Sequence, residues 1–138
     1  MGVPLPWAIF MLRRNLISPA NKSQVEILFV SEAPEVRDIG ESLSALQAVV
    51  GGPIQAIYPF QEPVALICHE EGKLLGLPLN RCLRLEDSGE IYDIIAGTFL
   101  LCAARRGSGR FESLTPVQLE HYARRFQYPE YFPAVRHD

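Results

Sequence analysis

The sequence predicts one α+β domain, an antiparallel-rich sheet of about five or six strands with two helices packed on it. Three observations predict it. Short runs rich in β-branched and aromatic residues (VEILFV, IQAIYPF, VALICHE, TFLLC) are separated by brief turns. Such turns permit hairpins but not the long crossovers that parallel pairs need. Two other segments change to helical spacing and carry their own caps. Finally, 138 residues that are 48% hydrophobic and 21% charged can bury a core without staples.

The elements follow in order. VEILFV from Val25 is a strand, SEAP a turn, and EVRDI its half-buried hairpin partner. From Glu41 to Val50 the apolar residues Leu43, Ala45, Leu46, Val49 and Val50 recur at helical spacing. Ser42 suits the N-cap and Gly51 the left-handed position after the last turn. IQAIYPF and VALICHE are two more strands, closed by Pro59 and Pro63. EEGK is a tight turn that places Gly72 at positive φ. LLGLPLNRCLRL carries Gly76 and Pro78, which break any continuous element. It reads as a short strand followed by an ordered loop.

EDSGE is another turn. In IYDIIAGTFLLCAA, Gly97 marks a bulge or a close backbone approach, and TFLLC is the clearest strand of the second half. RRGSGR (residues 105–110) is a flexible basic loop. The last helix has Thr115 as N-cap, Pro116 at the first position and Gln118 completing a capping box. Its buried stripe is Leu119, Tyr122, Ala123 and Phe126. YPEYFP ends it.

Charge and motifs exclude several classes. A net charge of −3 is too mild for a DNA mimic and of the wrong sign for a generic nucleic-acid binder, although a local basic patch is compatible with it. Cys68, Cys82 and Cys102 form no CxxC pair and read as small buried hydrophobes, which demands no oxidising compartment. PWAIFML (residues 6–12) is too short to span a bilayer, and Arg13 and Arg14 follow it, the reverse of a secretory signal. Residues 1–23 read as a leader or non-native extension, with PANKS as its linker, and residues 24–138 as the single domain. No phosphate loop, GxSxG or HExxH is present. His69 stands beside Glu70 and Glu71 without a third metal ligand; His121 and His137 read as solvated. These residues point to binding without catalysis, cofactor or metal.

The candidate binding residues are Asn80, Arg81, Asp93, Thr98 and Tyr58. Asn80 offers donors and an acceptor, and Arg81 a planar fork for carboxylate or phosphate, on a loop stiffened by Gly76 and Pro78. Gly97-Thr98 can present a backbone N–H and a hydroxyl to an anion. Asp93 interrupts an apolar run, and Tyr58, with Phe60 and Tyr92, can stack on a base. Each has a plainer reading: Asn80 as a turn cap, Arg81 paired with Glu90 or Asp93, Gly97 as a bulge, the aromatics as core. The binding reading expects Arg81 partly exposed, on the same surface as Asn80 and Thr98.

The blocks VGG, YPF, EEGKLLGLPLNR and EIYDIIAGTF carry a resemblance to the family called domain of unknown function 3846. It runs from Val25 to about Tyr131. The resemblance implies a phage or mobile-element accessory protein in the cytoplasm of a bacterial host, with no chemistry or catalytic residue to carry over. Proteins in that setting often act against host defence. Two functions compete. One is the binding of a small nucleotide-type ligand, at a concave site often found between the subunits of a homo-oligomer. The other is a protein–protein interaction module that inhibits or adapts a host protein. Membrane and nucleic acid are not expected as partners. A cleft lined by residues 80, 81 and 98 favours the ligand. A flat exposed apolar patch favours the protein partner, and so does an Arg81 locked against Glu90 or Asp93 with no open cleft beside it.

Overall fold

The structure is a computed structural model and describes residues 22–133. Residues 1–21 of the expected leader, and His137, lie outside the described residues. The elements are β1 (Lys22–Leu28), β2 (Glu35–Gly40), α1 (Leu43–Val50), β3 (Ile54–Ile57), β4 (Val64–His69), β5 (Leu79–Arg84), β6 (Ile91–Ala96), β7 (Phe99–Ala103) and α2 (Pro116–Arg125). The five-stranded sheet has the order β2-β1-β7-β4-β3, and β5 and β6 form a separate two-stranded sheet. Every pair is antiparallel. The fold is therefore α+β, as the short turns require.

Both faces of the large sheet are covered, which explains why β4 and β7 are apolar without alternation. On one face α1 brings Leu46 and Val50 onto Val25, Ile27, Ala65, Ile67, Leu100 and Cys102. On the other, α2 brings Leu119 and Tyr122 onto Leu28, Leu66, Phe99 and Leu101, and the β5–β6 hairpin adds Leu83 and Ile95 to the same cluster. The three cysteines are free and buried, and burial pushes the Cys102 thiol up to about 12.

The helix caps match their sequence signals. Ser42 Oγ accepts from the Ala45 N–H, and Gly51 takes φ 89°. At α2, Thr115 and Gln118 form a reciprocal capping box with Pro116 behind it. Thr115→Ala removes an acceptor for a helix-end N–H, so we expect a loss of about 1 kcal/mol in urea denaturation.

Several local expectations need correction. The segment 74–85 runs in the opposite order, turn first and strand second, because Leu77 N–H bonds back to Gly72 O and holds the chain until Leu79. Gly72 does not take positive φ; Gly76 does, at 70°. Gly72 is there for space, since a Cβ would stand 2.9 Å from the Ala96 carbonyl oxygen. The large sheet has five strands, as expected, but the described residues add a separate two-stranded sheet, from which a break at Gly97 (φ 81°) passes the chain to the large one. Lys22 and Ser23, read as linker, belong to β1, where they pair with Gly40 and Ile39.

Candidate functional site

Asn80 and Arg81 lie on a strand and not on a loop, and both are only 1% exposed. The pairing of β5 with β6 shifts register between Leu79 and Arg81. That irregularity breaks the usual alternation, so both neighbours turn inward. Asn80 Nδ2 donates to Leu28 O at 2.7 Å and Gly97 O at 2.9 Å. Its Oδ1 accepts from Arg81 Nη1 at 2.7 Å.

The Arg81 guanidinium spends its donors inside the fold. Nε and Nη2 donate to Phe126 O at 3.3 and 3.2 Å, Nη2 also to Glu32 O at 2.6 Å, and Nη1 also to Phe29 O at 3.4 Å. Phe126 is the C-cap of α2, so the cation sits at the negative end of that helix. Burial holds the Arg81 pKa below its ordinary value, and Glu130 partly offsets this. The expectation of an exposed Arg81 is wrong, and so is the expected pairing with Glu90 or Asp93. Its partners are carbonyls of distant loops, which no local pattern reveals. The side chain borders a concavity of about 540 Å³ but has no donor left to turn toward it.

The other candidates are dispersed. Asp93 sits on β6 opposite Leu83 and pairs with Lys73 Nζ at 2.5 Å. Burial opposes its ionisation, but the bonds from Lys73 and the Ile94 N–H outweigh it and hold the carboxyl below its ordinary range. Thr98 is half-buried in the β6–β7 link. Gly97 is a close approach, with Leu77 Cδ1 2.9 Å from where its Cβ would be. His69 is a strand-end residue whose Nδ1 accepts from the Glu71 N–H. Among the described residues no cluster of His, Cys, Asp and Glu has the makeup of a metal site.

Tyr58 alone of the five reaches a large opening. It is 62% exposed and lines a groove of about 1200 Å³. Its lining includes Leu43, Leu46 and Ile54, the carboxylates Glu41 and Glu62, and, from the loop after β7, Arg105, Arg106, Arg110 and Phe111. Arg105 is bound by Glu112 through two bonds of 3.0 and 2.9 Å. Arg106 and Arg110 have no carboxylate within ion-pair distance among the described residues. Glu62 in the floor is held from α2 by the Tyr122 hydroxyl and by Gln118 Nε2 at 3.2 Å. Burial, and then Glu62, push the Tyr122 phenol up, so it stays a donor to that carboxylate. A neighbouring concavity of about 470 Å³ shares Glu41, Pro63, Arg105 and Arg110 and continues to Thr115 and Gln118.

The sequence reading marked RRGSGR as basic but not as part of a site. The signal was there in the spacing: two glycines at φ 81° and 70° shape the loop, and Ser108 Oγ bonds the Arg110 backbone. What was missing is the packing that brings this loop to the same groove as Tyr58.

No helix of the described residues is long and apolar enough to cross a membrane. No curated protein and no solved structure matches the chain. One family model does match, over residues 25–127, which is most of the chain and spans β1 to the end of α2. The chain therefore belongs to the family described as "Domain of unknown function (DUF3846)".

Proposed function

We propose that this domain is a non-catalytic interaction module that takes an acidic segment of a protein partner into the Tyr58–Arg106–Arg110 groove. In the phage or mobile-element setting implied by the resemblance, the partner is a host protein, which the domain inhibits or adapts in the host cytoplasm. The observation that carries the reading is the groove itself. It is open, about 1200 Å³, and holds Arg106 and Arg110, neither with a carboxylate within ion-pair distance among the described residues, on a chain of net charge −3. That volume exceeds the range typical of small-molecule pockets, about 300–1,000 Å³. Apolar residues and cations in one groove suit a peptide with acidic and hydrophobic side chains. Arg81 supports the same reading, since its donors are spent on the fold.

A second reading keeps the small nucleotide-type ligand and moves it to this groove. Its support is Tyr58, an exposed ring on the same groove as the two cations, a combination that suits a base and its phosphates. The test is fluorescence anisotropy with labelled peptides alternating Glu and Leu, beside thermal shift with mono-, di- and cyclic nucleotides. We expect peptide binding that weakens with salt, and a loss of about 1.5 kcal/mol or more when Arg106 and Arg110 are both changed to alanine. Tyr58→Ala should weaken it further, with the fold intact. A nucleotide that raises the melting temperature while the peptides fail to bind would overturn the first reading in favour of the second.

A further inference from the structure

Glu26 lies in the middle of β1, with its side chain on the face that α2 covers. The register shows this: Glu26 stands opposite Val36 of β2 and Leu101 of β7, and both belong to the α2-side core. Its exposure is 0%, and among the described residues neither carboxyl oxygen has a hydrogen-bond donor. Two positions along, on the same face, the Gln24 Nε2 also lacks an acceptor. An ionised carboxylate in such a place loses its hydration and gains nothing in return, which costs more than giving up its charge.

We infer that Glu26 is a buried proton-binding site: the domain folds around this side chain as a neutral acid, takes up a proton from solvent as it folds, and loosens α2 from β1 when the acid ionises. Among the described residues, the groups packed around it supply no cation. On β2, Asp38 shares the face, opposite Gln24. α2 brings Leu119 and Tyr122, and the Tyr122 hydroxyl is taken by Glu62. Its charged residues pair at the surface, Arg124 with Glu120 and Arg125 with Glu86, and His121 is exposed. In the connection to α2, Glu112 holds Arg105 and Ser113 Oγ accepts from the Gln24 N–H. The β5–β6 hairpin adds Leu83 and Ile95 to this core, and β7 adds Phe99 and Leu101. Burial accordingly pushes the Glu26 carboxyl up to about 8.

The sign follows from linkage. Between the ordinary glutamate value and about 8, the folded chain holds a proton that the unfolded chain has released. Stability contributed by Glu26 is therefore full below the ordinary value and is lost as pH rises toward 8. α2 carries Gln118 and Tyr122, which fix Glu62 in the groove floor, so ionisation also loosens that wall. Only this last coupling rests on the binding function proposed above.

The experiment uses the full chain. Carbon-13 NMR of the glutamate carboxyls should show Glu26, assigned by its disappearance in Glu26→Gln, titrating near pH 8 and far above the free glutamate value of about 4.3. The wild-type melting temperature should fall by about 10 °C between pH 5 and pH 8, and Glu26→Gln should remove most of that fall. A Glu26 midpoint in the ordinary range overturns the proposal, and so does a Glu26→Gln variant with the wild-type pH dependence. If Glu26→Gln does not fold, assignment through the backbone of the wild-type chain still gives the midpoint and decides the matter. Peptide binding in the groove is a separate readout. Its failure bears on the binding function and leaves the proton site standing.

Discussion

Arg81→Ala is expected to cost about 3–5 kcal/mol in urea denaturation, the largest effect of any polar substitution in the domain. The side chain is 1% exposed and ties three distant pieces together: β5, the β1–β2 turn through Phe29 O and Glu32 O, and the end of α2 through Phe126 O. Removing it leaves these buried or half-buried carbonyls, and Asn80 Oδ1, without their donor, at about 1–3 kcal/mol for each fully buried group. A cavity of side-chain size adds to this. Domains of this kind are stable by about 5–15 kcal/mol, so the variant stands near unfolding. Arg81→Lys should recover little, because one ammonium cannot reach acceptors on opposite sides of a guanidinium plane. Arg81→Met separates packing from hydrogen bonding: it fills the space, and whatever loss remains belongs to the carbonyls. If Arg81→Ala costs less than about 1 kcal/mol, water replaces the guanidinium there and the cross-link is not a determinant of the fold.

Phe99→Ala is expected to cost a similar amount, about 3–5 kcal/mol. Phe99 is 0% exposed on the central strand β7, and its ring meets Phe126 edge to face at 5.9 Å between centroids. Phe126 is also the residue whose carbonyl receives two Arg81 bonds. The two substitutions therefore share an anchor. Their double variant should lose less than the sum of the single losses, by about 0.5 kcal/mol or more, in a double-mutant cycle. Strict additivity would mean that the Phe126 ring and its carbonyl are held independently.

Particular residues show where sequence reading worked. Ser42, Gly51, Thr115, Pro116 and Gln118 act within one turn of their own position, so their roles follow from covalent geometry and local bonding. The runs in β1, β4 and β7 are apolar over lengths that suit strands, and the intervening turns are too short for parallel connection. Leu119, Tyr122 and Phe126 are buried as their spacing on α2 requires.

The candidate site was less legible. Asn80 and Arg81 form a polar pair flanked by glycine and proline, and a local view cannot distinguish an outward-facing fork from an inward one. The deciding fact is a register shift in β5 and three carbonyls from segments about 45–52 positions away. Tyr58 lines an open groove as the binding reading needs, yet its neighbours there are Arg106 and Arg110 and not Asn80 or Arg81. Glu26 was not singled out, because one polar residue within the VEILFV strand does not say that both faces of the sheet will be covered.

The sequence by itself determined the class of fold, the position of both helices with their caps, the inert cysteines and the membership in a family, all of which depend on local pattern or on similarity along the chain. The tertiary structure alone decided which polar residues are buried, that the chain returns from β5 and β6 to the main sheet at Gly97, and that the basic loop and Tyr58 line one groove. The physical reason is that burial and hydrogen-bond partnership are properties of what the rest of the chain places against a residue. For Glu26 and Arg81 those neighbours come from other strands and from the far end of α2, and their side chains acquire their character only when these close over them.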